Sequence, residues 1–221
     1  MVELWWRLCA IHWNTRPKVV AAAILALTWV AMPAGAATAE DVYQEARNIF
    51  LRGDVVGAMP LLRKAADEGH APAQVMLAQI LDKAEFDKEA IEYFRKAALQ
   101  GNADGEFGLG TMYAGGEGVS RDAQEALRWY RLAAGRGHDR AILVLALAYL
   151  GGNLGLTDRR RDDAQARLWI RTVAEAGNIQ AMEGLAAALR SGDFGFVVDP
   201  KQATDLEEKV KKLRTSRRPK K

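Results

Sequence analysis

Cysteine is nearly absent from this chain, with Cys9 the only one in 221 residues. Aromatic residues are few, at 8%, and there are three histidines, of which His12 lies near the start. If the first 39 residues are removed, no cysteine remains, so disulfides cannot hold the folded part together and packing alone must do so. No Gly-Lys-Ser/Thr follows a glycine-rich stretch, no serine, cysteine or threonine stands in a recognisable arrangement with a base, and no spaced carboxylate pair lacks another explanation. Phosphate-loop, nucleophilic and paired-carboxylate chemistries therefore have no motif to rest on. What remains is 49% apolar and 27% charged, enough to bury a core, and rich in alanine, which suits closely packed helices.

The longest uncharged run stands at the N-terminus. A basic stretch with Arg7, Arg16 and Lys18 leads into VVAAAILALTWVAM, then Pro33, and then two small-x-small sites, Ala34-Gly35-Ala36 and Ala37-Thr38-Ala39. This order predicts a secretory signal over residues 1–39, cleaved after Ala36 or Ala39, and a periplasmic or secreted product. The alternative is an uncleaved inner-membrane anchor facing the periplasm, since 19–39 is 21 residues without charge.

A phrase recurs four times in the rest: KAADEGH ending at His70, KAALQGN at Asn102, LAAGRGH at His138 and TVAEAGN at Asn178. Its glycines, Gly69, Gly101, Gly137 and Gly177, are 32, 36 and 40 residues apart. Such a period marks a stacked repeat array. After each glycine, offsets of four, eight and twelve carry small or apolar residues (Ala73, Leu77, Leu81 in one copy; Gly105, Leu109, Tyr113 in the next). Those offsets fall on one side of a first helix. A second helix opens at Asp54, Asp87, Asp122, Asp162 or Asp199, each a natural N-cap, with Glu125, Gln165 and Gln202 placed three residues after the last three for capping boxes. The repeat glycine then ends it. Five antiparallel helix pairs follow, near 40–68, 71–100, 103–136, 139–176 and 179–213, an all-α array with polar ends.

The stretch LGTMYAGGEGVSRDAQEALRWYRLAAGRGH, Leu109 to His138, resembles a Sel-one-like repeat, a relative of the tetratricopeptide repeat, and the other copies are weaker versions in register. The resemblance covers about 40–213. It implies a right-handed α-solenoid acting as adaptor or scaffold, and for exported bacterial members a place in cell-envelope regulation, polysaccharide export or host contact. Some exported members staple each repeat with disulfides, and this chain lacks those cysteines.

His70 and His138 share their position with Asn102 and Asn178, which fits a turn or helix-entry role better than a metal ligand or base. Gly115-Gly116-Glu117-Gly118 has no strand before it, and its acid would repel phosphate, so its glycines serve the inter-helix turn. Tyr93, Phe94, Trp129, Tyr130 and Trp169 occupy packing positions.

The expectation is a non-enzymatic, cofactor-free scaffold that grips a protein or peptide in a groove near Leu77, Leu109, Tyr113, Leu145 and Tyr149. The lengthening inter-helix loops would help, above all Arg159, Arg160 and Arg161, a fork suited to carboxylates or phosphates. After Glu208 come eight cations and no acid, while residues 40–208 carry 20 Lys and Arg against 27 Asp and Glu. Residues 214–221 therefore read as a basic, disordered tail and a tether to an anionic envelope surface, with nothing pointing to nucleic acid. An envelope glycan-binding protein or glycan-directed hydrolase, and a membrane-anchored scaffold, are the alternative functions.

Overall fold

The computed structural model describes residues 37–157 and 163–216. The expected signal segment up to residue 36, Arg159–Arg161, and the last five residues of the basic tail lie outside the described residues. The repeats occupy one compact unit, Thr38–Lys221. Among the described residues there are ten α-helices and no strand. They pair as α1 (Ala39–Leu51) with α2 (Val55–Asp67), α3 (Ala71–Lys83) with α4 (Asp87–Leu99), and α5 (Ala103–Gly115) with α6 (Ala123–Gly135). The series continues with α7 (Asp139–Gly151) and α8 (Ala164–Glu175), then α9 (Ile179–Ser191) and α10 (Pro200–Ser216). The result is an all-α solenoid of five helix pairs, in which each helix packs on its chain neighbours and first helices also meet, α3 with α5 and α7 with α9.

The recurring phrase does two jobs at one residue. In LAAGRGH, the Gly137 N–H donates to Ala134 O (2.9 Å) and the His138 N–H to Ala133 O (3.0 Å), the paired bonds that close a Schellman motif. Gly137 takes φ +83°, where a Cβ would be strained. The His138 side chain then accepts, through Nδ1, the Ala141 N–H at 3.1 Å and caps α7. His70 does the same to Ala73 at 3.2 Å. Asn102 and Asn178 do so with Oδ1, to Gly105 and Ala181, both at 2.9 Å. One residue thus ends a helix and starts the next, which explains the His/Asn alternation: both supply an acceptor at that height.

The caps of the second helices need two corrections. Asp54, Asp122 and Asp199 cap as expected. In α4, however, Phe86 is the N-cap and Asp87 is already helical. The connection there is only 84–86, with Glu85 at φ +62°, so the chain enters the helix one residue early. Asp87 instead places its charge in the first turn, where the helix dipole favours it. In α8 the cap is Asp163 rather than Asp162: its carboxylate accepts from Gln165 N (3.1 Å) and Ala166 N (3.0 Å). The α5–α6 loop needs its glycine for room, since a Cβ on Gly118 would lie 2.5 Å from Asp87 O. At the C-terminus α10 runs to Ser216, and Arg214 pairs with Glu183 at 2.8 Å, so the helix extends past the expected start of the tail.

Tyr93, Phe94, Trp129, Tyr130 and Trp169 are all buried, as their positions required. Alanines of the repeat phrase (Ala65, Ala97, Ala133) are wholly buried, which lets successive pairs stack closely.

Candidate binding groove

The small-residue face of each first helix is spent on packing. Leu77, Leu109 and Leu145, expected near a groove, are 0% exposed. The opposite face, at offsets 3, 6, 10 and 13 from the repeat glycine, is the one left for a partner. It lines a groove of about 370 Å³ across α3, α5 and α7, walled by Gln79 and Asp82, by Phe107 and Thr111, and by His138 and Arg140. The floor is Phe94 and Met112. Gly108 makes that floor: a Cβ there would meet Phe94 Cε1 at 2.3 Å, so the ring reaches up beneath α5 only because the side chain is missing.

The rim of this groove is a clasp between repeats. His138, besides capping α7, meets Asp104 Oδ1 through Nε2 at 3.2 Å and stacks on Phe107, with ring centroids 4.5 Å apart. An Nδ1 that accepts an amide proton leaves the ring proton on Nε2, facing the carboxylate. His70 makes the matching clasp with Glu40 (2.7 Å) and Tyr43 (4.7 Å). Where the cap is asparagine, the preceding first helix has neither the acid nor the aromatic: Pro72 and Val75 precede Asn102, and Arg140 and Leu143 precede Asn178. Deeper in the same junction, Glu106 is 2% exposed and takes Arg136 Nε at 3.0 Å.

Three charged side chains of the groove, Asp82, Lys83 and Arg140, stand apart from this pairing. Asp82 is half-buried and its carboxylate takes no hydrogen bond or ion pair from any described residue; burial pushes this carboxyl above the usual range, the nearby charge of Asp87 adds to this, and Lys83 offsets it in part. The Arg140 guanidinium lies 5.1 Å over the Phe107 ring and meets no carboxylate of a described residue. Among the described residues no three of His, Cys, Asp and Glu come together as metal ligands. No helix of the described residues is long and apolar enough to cross a membrane.

The tyrosines singled out in the sequence lie elsewhere. Tyr149 is 5% exposed. Its hydroxyl accepts from Arg131 (3.0 Å) and donates to Asp163 Oδ2 (2.8 Å), and its ring meets Trp169 and Phe194. Its expected place on the groove is corrected to one in the core. Tyr113 is half-buried against both halves of the core and, through its hydroxyl, helps keep Arg95 above its ordinary value. Neither lines the groove. Phe107, Asp82 and Arg140 were not singled out, because their offsets carry no repeating residue type; the buried face at four, eight and twelve was the signal that could have located them on the opposite side.

Helix pairs joined through shared caps, with a groove along the first helices, define a class: an α-solenoid that offers a continuous surface. The Sel1 repeat model matches residues 52–70, 87–102, 103–138 and 140–178, and the chain belongs to the Sel1 repeat family. Such proteins are generally protein-interaction scaffolds. The chain is similar to a Sel1 repeat protein from Oxalobacter formigenes, at 27% identity and a TM-score of 0.58, over 79% of this chain and 71% of that one. It is also similar to the rat (Rattus norvegicus) DAP3-binding cell death enhancer 1, 36% identical over 38% of this chain. The yeast (Saccharomyces cerevisiae) chitin synthase regulator SKT5 is 29% identical over 45% of it. The chain spans only 17% and 15% of the length of these two curated relatives.

Proposed function

We propose that this protein is an exported adaptor that holds a protein partner in the groove formed by α3, α5 and α7 and catalyses nothing. The observation that carries this reading is the groove's content: an apolar floor with Asp82 beside Lys83 on one wall and Arg140 on the other, neither Asp82 nor Arg140 in an ion pair with a described residue. The groove's one histidine, His138, has both ring nitrogens engaged, Nδ1 as the cap of α7 and Nε2 on Asp104, so neither stands open to a substrate as a base. A rat relative named for binding DAP3 and a yeast relative named as a regulator support an adaptor role.

Export is supported by the order of basic stretch, apolar run and small-residue sites in 1–39. Of the two cleavage sites, the one after Ala36 suits the folded array. Thr38 is the N-cap of α1 and forms a capping box with Asp41 (Asp41 N to Thr38 Oγ1, 3.1 Å; Thr38 N to Asp41 Oδ2, 2.9 Å), which a cut after Ala39 would remove.

A photo-crosslinking residue placed at Thr111, in the groove, and separately at Leu132, on a second helix, tests the binding face in cells that express the full chain. The expected result is one partner captured from Thr111 and lost on Arg140→Glu. Equal capture from both positions, or capture from Leu132 alone, overturns the groove. Mass spectrometry of the same material reads the mature N-terminus, expected at Ala37; a full-length chain would overturn cleavage.

A further inference from the structure

We infer that the groove takes an extended peptide segment of its partner carrying three features in order: a basic side chain for Asp82, an apolar side chain for the floor, and an acidic side chain for Arg140. This rests on the adaptor reading above and specifies what that adaptor recognises.

The inference starts from the contrast between these two charges and the others. Six arginines elsewhere on the array are answered from within: Arg63 by Glu89, Arg95 by Glu92, Arg128 by Glu125, Arg136 by Glu106, Arg190 by Glu207 and Arg214 by Glu183. Even the groove's own rim carboxylate, Asp104, is matched by His138. Among the described residues Arg140 has no carboxylate partner; its guanidinium lies over the Phe107 ring, which leaves its N–H groups for a ligand. Asp82 stands on the far wall, half-buried; its carboxylate takes no hydrogen bond or ion pair from a described residue, and the charge of Lys83 beside it offsets its own only in part. Partial burial of an unmatched carboxylate costs free energy that an incoming ammonium or guanidinium recovers.

Between the two charges the chemistry changes to apolar. Phe107 forms one wall, and Phe94 and Met112, both nearly fully buried, form the base exposed by Gly108. A volume near 370 Å³ holds a few side chains and not a folded domain. A lone metabolite could match one charge, but an acid and a base on helices two repeats apart, with an apolar floor between, suit a chain that runs across the first helices. The polarity is fixed by where the charges sit: basic toward α3, acidic toward α7.

Fluorescence anisotropy of the full chain against labelled peptides tests this. The probes share one leucine or phenylalanine, flanked on one side by lysine and on the other by glutamate at varied spacing, with the order-reversed and charge-neutral sets as controls. One spacing of the Lys–apolar–Glu set should bind more tightly than its neutral counterpart. Asp82→Asn and Arg140→Gln should each weaken it about five- to tenfold while leaving the helical circular dichroism unchanged. The double charge reversal Asp82→Lys with Arg140→Glu should favour the Glu–apolar–Lys set instead. Affinity indifferent to charge order, or binding by none of the peptides at millimolar concentration, overturns the inference. So does self-association of the chain lost on Arg140→Glu, which would put a second copy in the groove. If Thr111 still captures a partner while Asp82→Asn changes nothing, the adaptor survives and only this recognition chemistry falls.

Discussion

Replacing His138 by alanine and by asparagine separates the two jobs this residue holds. The alanine variant loses the acceptor for the Ala141 N–H, a capping loss of about 1 kcal/mol. It also loses the stacked contact with Phe107, worth about 0.5–1.5 kcal/mol. The pairing with Asp104, whose side chain is 65% exposed, adds little. His138→Ala should therefore cost about 2 kcal/mol. Asparagine restores the acceptor in the geometry seen at Asn102 and Asn178, so His138→Asn should cost about 1 kcal/mol, the stacking part alone. Urea unfolding followed by circular dichroism measures both, provided the slope with denaturant is the same in all three proteins. The Schellman bonds use the backbone and survive either change. Equal losses for the two variants would refute the claim that the histidine is a cap, and a stable alanine variant would refute the whole clasp.

Three further outcomes follow from the same coordinates. Gly108→Ala should cost about 1–3 kcal/mol despite alanine's better helix propensity, because its Cβ falls 2.3 Å from the Phe94 ring; a stabilised variant in a thermal melt would contradict this. Tyr149→Phe should cost about 1–2 kcal/mol by stripping Asp163 and Arg131 of their shared hydroxyl, with no change in partner affinity; a binding loss without a stability loss would return Tyr149 to the groove. Asp163 gives a pH dependence. Burial pushes its carboxyl up, but hydrogen bonds from the Ala166 and Gln165 amides and the Tyr149 hydroxyl, with the charge of Arg131, hold it below the usual range. A carboxyl depressed in the folded state contributes stability that is complete above the unfolded value of about 4 and is lost as pH falls through the folded one. The stability advantage of the wild type over Asp163→Asn should thus be constant from about pH 7 to 5 and shrink as pH falls below about 4; urea titrations across that range check it, and an advantage that grows on acidification would reverse the sign of the reasoning.

The fold was legible because its signals repeat. A glycine at C′, a side-chain acceptor directly after it, and small or apolar residues at four, eight and twelve mean the same thing in every copy, so the four copies reinforce one another. Signals carried by a single copy were less secure. Asp87 and Asp162 fit the spacing of a cap, yet the short turn at Glu85 and the pull of Tyr149 on Asp163 each shifted the helix start by a residue. The groove was least legible. Its walls are the face that differs between copies, and a face that differs has no period to find. Leu77, Leu109 and Leu145 drew attention because they repeat, and they repeat because they are core. The exposure of Tyr113 and Tyr149 could not be read from offset alone, since it depends on partners on the preceding helix, Arg95 and Arg131.

The binding face itself is the central claim, and side-chain footprinting of the protein with and without its captured partner tests it most directly. Hydroxyl-radical oxidation should be suppressed at Phe107, on the groove wall, and unchanged at Leu132 and Leu168, which are exposed on second helices. Protection of those leucines with Phe107 left open would place the partner on the other side of the array and contradict the account.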